Sequence, residues 1–136
     1  MFVSETTVRV RYAETDQMGY VYYGNYLTYY EVGRIETLRA IGYSYKEMES
    51  NGIMLPVLES KCKYIRPGKY DDLLTIKVVI PKMPNVRILF EYQVFNEANE
   101  LINIGETTLV FVNQETGKPC QMPSDMYELL KPYFDA

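Results

Sequence analysis

The chain has 136 residues, a length that predicts one domain spanning 1–136 with a core large enough to fold alone. It carries 14 basic and 18 acidic residues, and the resulting net charge of −4 argues against nucleic acid as the main partner. No apolar run approaches the roughly 20 residues that span a bilayer. Because no signal peptide is visible either, we expect a cytoplasmic protein without a membrane span.

Histidine is absent from the chain, and this absence narrows the catalytic chemistry. It removes His-dependent triads, His metal sites and a histidine acid or base. The two cysteines, Cys62 and Cys120, stand in unrelated contexts and form no metal-binding pattern. If the protein is an enzyme, we therefore expect its acid–base group to be a carboxylate.

The first half of the chain is predicted to contain a strand, a loop, a long helix and a short helix. Residues 6–12 alternate apolar and polar side chains, which is typical of a half-buried strand. Residues 13–23 show no regular period and are predicted to form a loop. Residues 24–41 lack proline and precede a glycine, which predicts a largely buried helix. A capping-box pattern predicts that a short helix begins at Ser44.

In the second half, apolar alternation separated by turn residues predicts four strands and a final short helix. The predicted strands cover 53–65, 73–81, 86–95 and 101–112, and the helix covers 125–131. Consecutive strands with tight turns pair antiparallel, and helix 24–41 is the element apolar enough to cover one sheet face. We therefore expect an α+β fold, an antiparallel sheet curled around one buried helix. Gly33 within that helix predicts close approach of another backbone.

The segment 11–26 carries the strongest functional signal. Asp16 lies in a glycine-containing loop that leads into the first turn of helix 24–41. The unpaired N–H groups and positive dipole end of a helix start stabilise an oxyanion. A carboxylate beside the same carbonyl can attack it or deprotonate a water, and the combination suits acyl transfer to water. From physics alone, a helix cap or turn former is the more common role for such an aspartate.

The chain also carries the motif Asp-x-x-Gly-x-Val-[Tyr/Phe]-x-x-x-Tyr, here as Asp16, Gly19, Val21, Tyr22 and Tyr26. Later matches include the segments Tyr70–Thr75 and Glu115–Pro119. By these motifs the chain resembles the hotdog-fold thioesterases, in particular the family of 4-hydroxybenzoyl-CoA thioesterase and the Tol–Pal-associated acyl-CoA thioesterases. The resemblance covers nearly the whole chain, and it implies the hotdog fold, a sheet wrapped around one long helix.

The resemblance further implies that Asp16 is the catalytic carboxylate, as nucleophile or general base, and that the backbone N–H of Tyr23 polarises the thioester carbonyl. It assigns substrate contact to residues of the motif and the helix start: Gly19, Val21, Tyr22, Gly24 and Tyr26. The Tol–Pal-associated branch commonly has histidine at the position of Tyr23, whereas the hydroxybenzoyl branch has tyrosine. No metal or other cofactor is required. From its polarity alone, Glu59 in the strand 53–65 is a further substrate-binding candidate, since it faces either solvent or a polar site.

The implied substrate is an acyl-CoA, with acyl-carrier protein open as the thiol carrier, and the implied assembly is a homodimer or homotetramer with sites at the subunit interface. Basic residues in or near turns are candidates for contacting CoA phosphates: Arg66, Lys69, Arg87 and Lys118. One alternative, a hotdog hydratase or dehydratase, uses a histidine with a carboxylate in its familiar forms, and this chain has no histidine. A second alternative, a non-catalytic module that binds acyl thioesters or acyl-carrier protein, stays open, as does the identity of the acyl group.

Overall fold

The computed structural model describes residues 1–134, so positions 135–136 of the expected domain lie outside the described residues. Its strands are β1 Phe2–Arg9, β2 Ile53–Met54, β3 Val57–Tyr64, β4 Leu73–Ile80, β5 Arg87–Phe95, β6 Leu101–Val110 and β7 Val112–Asn113. Its α-helices are α1 Asn25–Ala40, α2 Tyr45–Ser50 and α3 Ser124–Leu130, with 3-10 turns at Tyr12–Glu14 and Lys131–Tyr133.

The main sheet has five strands in the order β1-β4-β5-β6-β3, and every neighbouring pair is antiparallel. The predicted strand 6–12 was misplaced, because the chain pairs with β4 from Phe2 onward and then turns into a 3-10 helix at Tyr12. The predicted strand 53–65 is interrupted at Pro56, whose ring nitrogen has no hydrogen to donate to a ladder. Its second part, β3, forms one edge of the sheet.

Helix α1 covers one face of this sheet, and the sheet curls around it. Alternate residues of β4 and β5 are buried in the core: Leu74, Ile76, Val78, Ile80, Ile88, Phe90, Tyr92 and Val94. Each large apolar side chain buried in this way contributes about 1.5–3 kcal/mol to stability. The expected α+β architecture around a long buried helix is confirmed. Neither α1, with 16 residues, nor any other helix of the described chain is long and apolar enough to cross a membrane.

Two glycines set how closely α1 approaches the sheet. A Cβ at Gly33 would lie 2.9 Å from the Cγ2 atoms of both Ile76 and Val78, so the close neighbours are side chains of β4 and not the backbone that the sequence predicted. A Cβ at Gly105 in β6 would collide with the hydroxyl of Tyr30. Tyr30 is fully buried. Because Gly105 has no side chain, the ring and hydroxyl of Tyr30 can occupy the space beside it.

Candidate active site

The loop that carries Asp16 is held by its own backbone. The N–H of Asp16 donates to the carbonyl of Tyr20 at 2.8 Å, and Gly19 supplies the positive φ of 78° that reverses the chain between them. The carboxylate oxygen Oδ1 of Asp16 accepts the N–H groups of Met18 at 2.9 Å and Tyr20 at 3.2 Å. Its second oxygen, Oδ2, accepts no hydrogen bond from another described residue. The loop therefore fixes the carboxylate through one oxygen and leaves the other available.

Asp16 forms part of the wall of a cavity of about 320 Å³. The other walls come from the same loop, from the start of α1 and from the chain that follows β3: Met18, Tyr20, Val21, Tyr23, Tyr26 and the segment 64–67. A larger groove of about 700 Å³ lies among β3, β5 and β6 and contains none of the predicted site residues. The Asp16 cavity is thus the place where the sequence and the geometry agree.

The turn just before α1 places a hydrogen-bond donor beside this cavity. Gly24 is the N-cap, and the N–H of Asn25 donates back to the carbonyl of Tyr22 at 2.9 Å. Among the residues that the structure describes, the N–H of Tyr23 has no acceptor. Free N–H groups at the positive end of a helix stabilise anions and developing negative charge. A carbonyl oxygen bound in the cavity can therefore be polarised here.

Tyrosine rings form much of the remaining wall. Tyr26 is buried, and its hydroxyl accepts the N–H of Gly68 at 3.3 Å. Tyr64 packs with its ring centroid 5.7 Å from that of Tyr26 and 6.2 Å from that of Tyr23. Burial, reinforced by the neighbouring Cys62, raises the pKa of Tyr64 to about 12, so its hydroxyl stays protonated at neutral pH. These walls are aromatic and uncharged.

Of the predicted site residues, four line the cavity: Asp16, Val21, Tyr23 and Tyr26. Gly19 and Gly24 shape the backbone on either side of them, at the loop turn and at the helix cap. Tyr22 is exposed, with its ring centroid 4.8 Å from that of Tyr23, and does not line the cavity. Glu59 lies in β3 with its carboxylate 3.8 Å from the ammonium group of Lys61, away from the cavity of its own chain.

The sequence did not predict that the segment 64–67 lines the site, although it offered Arg66 as a candidate for contacting CoA phosphates. The N–H groups of Ile65 and Arg66 both donate to the carbonyl of Ile102, which carries the chain onward along β6. The carbonyl of Gly68 then accepts the N–H of Val21 at 2.8 Å and ties this segment to the Asp16 loop. These contacts join residues far apart in the sequence, so no local sequence pattern predicts them.

Glu14 is a largely buried carboxylate beside the loop, with 12% of its side chain exposed. Its oxygens accept the backbone N–H of Arg11 at 2.9 Å, the Arg11 guanidinium at 2.8 Å and the hydroxyl of Tyr29 at 2.9 Å. Burial opposes ionisation, but these hydrogen bonds outweigh it and hold the pKa of Glu14 below its ordinary value. Glu14 was not among the site residues predicted from the sequence.

The lowered pKa predicts an acid-dependent contribution of Glu14 to stability. A carboxyl whose folded-state pKa is depressed stabilises the fold above its unfolded-state pKa, and this stabilisation is lost as pH falls through the folded-state pKa. Below about pH 4.5, wild-type stability should therefore fall more steeply than that of Glu14→Gln. Urea midpoints of both proteins between pH 6 and pH 3 measure this difference. A difference that stays constant across that range would contradict the prediction.

A family model described as the thioesterase-like superfamily matches residues 10–130 of the chain. The chain belongs to this superfamily. This thioesterase-like chain is 36% identical to YneP of Bacillus subtilis, named as a candidate acyl-CoA thioesterase, over 89% of the chain and 88% of that protein. It is 31% identical to the acyl-CoA thioester hydrolase YbgC of Escherichia coli O157:H7, over 88% of the chain and 89% of that protein.

Solved structures agree with this membership. The thioesterase-like chain matches the crystal structure of DHNA-CoA thioesterase from Staphylococcus aureus with a TM-score of 0.93 and 34% identity, covering 98% of the chain and 91% of that structure. The expected hotdog fold and the expected class, thioester hydrolase, are confirmed.

Proposed function

We propose that the protein hydrolyses an acyl-CoA thioester to a free acid and CoA in the Asp16 cavity. The observation that carries this proposal is that two groups border one cavity: the Asp16 carboxylate, which the loop holds through one oxygen, and Tyr23, whose N–H has no acceptor among the described residues. The names of the relatives YneP and YbgC support the acyl-CoA class of substrate.

In the proposed reaction, the thioester oxygen accepts the N–H of Tyr23, and the dipole of α1 stabilises the charge that develops on that oxygen. Asp16 then acts in one of two ways. As a nucleophile it attacks the carbonyl carbon and expels the CoA thiolate, and water hydrolyses the resulting anhydride. As a general base it takes a proton from a water that attacks the same carbon, and the tetrahedral intermediate then expels the CoA thiolate, which is protonated as Asp16 returns to its ionised form. A single turnover in oxygen-18 water tests the nucleophilic route, because label in Asp16 excludes a pure general-base route.

An aromatic acyl group suits the cavity best. The ring of Tyr64 stands at steep angles to those of Tyr23 and Tyr26, and such walls favour edge-to-face contact with a planar ring. Tyr23 also occupies the position where the hydroxybenzoyl branch has tyrosine. The similarity to a protein named DHNA-CoA thioesterase points the same way.

We further propose a homodimer with the cavity near the subunit interface, able to pair into a homotetramer. Within the described residues strand β3 has no partner strand on its outer side, and apolar side chains along and just beyond it are exposed: Val57, Leu58, Tyr64 and Ile65. A free apolar edge is suited to pairing with a second copy. Because Tyr64 also lines the cavity, a copy docked on this edge would cover its open side, and Glu59 on the same strand remains a proposed substrate contact. Light scattering measures the mass that this assembly requires.

The test of the activity is thiol release from a panel of acyl-CoAs that pairs aromatic with aliphatic groups, such as benzoyl-CoA with hexanoyl-CoA. We expect steady turnover, with a higher kcat/KM for the aromatic member of each pair. Faster turnover of the aliphatic members would reject the proposed aromatic preference while keeping the activity. Calorimetric binding of acyl-CoA without thiol release would instead favour the non-catalytic binding module.

A further inference from the structure

Glu14 joins the Asp16 loop to helix α1 through two separate parts of the residue. Its backbone carbonyl accepts the N–H of Tyr22 and the side-chain amide Nδ2 of Asn25, each at 2.8 Å. Its carboxylate oxygen Oε1 accepts the hydroxyl of Tyr29 at 2.9 Å. The residue two positions before Asp16 is therefore bonded both to the chain that enters the helix and to the helix itself.

The hydrogen bonds of Glu14 hold the Asp16 loop in a fixed position relative to helix α1. Asn25 is the first residue of α1, and Tyr29 lies four positions later on the same side of the helix. The N–H of Tyr23 lies in the short stretch between Tyr22 and Asn25, both of which bond the carbonyl of Glu14. The same contacts therefore anchor the carboxylate-bearing loop and the amide that is proposed to polarise the substrate.

Tyr29 is well suited to be the donor in this link. Its side chain is buried, and burial together with the hydrogen bond to Glu14 raises the pKa of its hydroxyl. The hydroxyl stays protonated across the working pH range, whereas Glu14 stays ionised. The Arg11 guanidinium closes the outer side of the carboxylate by bonding its other oxygen, Oε2. Neither Glu14 nor Tyr29 is among the residues that line the cavity.

We infer that Glu14, through Tyr29 and Asn25, is a positioning residue that sets the Asp16 carboxylate against the N–H of Tyr23. The inference rests on the proposed function. A displacement of reacting groups by about 1 Å costs on the order of 100-fold in rate. Loss of the link should therefore reduce the rate of the chemical step more than it reduces substrate binding.

The experiment measures thiol release by Glu14→Gln and Tyr29→Phe with the best acyl-CoA of the panel, at a temperature where thermal unfolding shows both variants folded. We expect kcat to fall by about 10- to 100-fold and KM to stay within about threefold. The matched controls are Glu36→Gln, which breaks an Arg39 ion pair on the same helix, and Tyr127→Phe in α3. Both controls should keep kcat within about twofold of wild type.

A second measurement separates positioning from general loss of structure. Because Glu14 and Tyr29 form one link, the double variant should lose little more activity than the worse single variant. In an Asp16→Asn background, Glu14→Gln should cause little further loss, since the alignment that Glu14 provides is between the Tyr23 N–H and the Asp16 carboxylate, which that variant lacks. If Glu14→Gln does not fold, Tyr29→Phe alone decides the outcome.

Unchanged kcat in a folded Tyr29→Phe, or a change confined to KM, would overturn the inference alone. A further tenfold loss from Glu14→Gln in the Asp16→Asn background would also overturn it, because the effect would then not pass through Asp16. Full turnover by Asp16→Asn itself would instead reject the proposed mechanism, and with it this inference.

Discussion

Asp16→Asn is expected to lower kcat for acyl-CoA hydrolysis by about 10³-fold while KM changes little. Asparagine keeps the oxygen that accepts the N–H groups of Met18 and Tyr20, so the loop should hold its shape. What is lost is the second carboxylate oxygen, which an amide NH2 group replaces, together with the negative charge. The side chain can then no longer attack a carbonyl or deprotonate water. Steady-state thiol release, with circular dichroism to match the folded fraction, measures the effect.

Asp125→Asn is the matched control for this substitution. Asp125 stands at the start of α3, away from the cavity, and its carboxylate accepts the N–H of Met126 at 2.9 Å. Asp125→Asn therefore makes the same change from carboxylate to amide, at a residue that also accepts a backbone N–H. The kcat of this variant should stay within about twofold of wild type. Equal activity in Asp16→Asn and Asp125→Asn would remove Asp16 from the mechanism.

Gly105→Ala is expected to cost about 3 kcal/mol of folding free energy, the upper range for overpacking a well-filled interior. The added Cβ would meet the hydroxyl of Tyr30 and would lie 2.6 Å from the backbone carbonyl of Lys61. Tyr30 cannot easily move aside, because its ring stacks on Tyr92 with centroids 4.1 Å apart and its hydroxyl bonds Asn103. Urea denaturation should show a lower midpoint with an unchanged slope.

The control for this change lies one residue along the same strand. Glu106 points to the opposite face of the sheet and pairs with Lys61 at 3.3 Å, so Glu106→Ala should cost no more than about 1 kcal/mol. The double variant Gly105→Ala with Tyr30→Phe should recover only part of the loss, since the Lys61 carbonyl still faces the new Cβ. A Gly105→Ala midpoint equal to that of Glu106→Ala would show that the helix shifts at little cost.

The sequence predicted those features that local chemistry encodes. The proline-free stretch 24–41 became α1 within one residue at each end, and the Ser44 hydroxyl does accept the N–H of Glu47 at the start of α2. Local spacing also placed Asp16 in a loop before the helix. The early strand was misplaced because alternation continues past Arg9, whereas pairing with β4 ends there.

Long-range contacts were beyond that kind of prediction. The segment 64–67 reaches the Asp16 loop because Ile65 and Arg66 bond β6 and the next residue, Gly68, accepts the N–H of Val21. Neither contact can be read from the residues adjacent to this segment in the sequence. The same limit applies to Glu14, whose partner Tyr29 lies on a different element. Polarity within a strand likewise could not show that Glu59 lies beside Lys61 and apart from its own chain's cavity.

The walls of the cavity come from two stretches of the chain that are far apart in the sequence. The groups proposed to react, at Asp16 and Tyr23, belong to one short continuous segment, whereas Tyr64 and Ile65 reach the same cavity from the end of β3 and the connection that follows it. Substitutions in that connection can reshape the space for the acyl group while the reacting segment stays intact. Acyl preference and hydrolytic chemistry can thus diverge independently during evolution, and chimeras that exchange only residues 64–67 between relatives offer a direct route to new substrates.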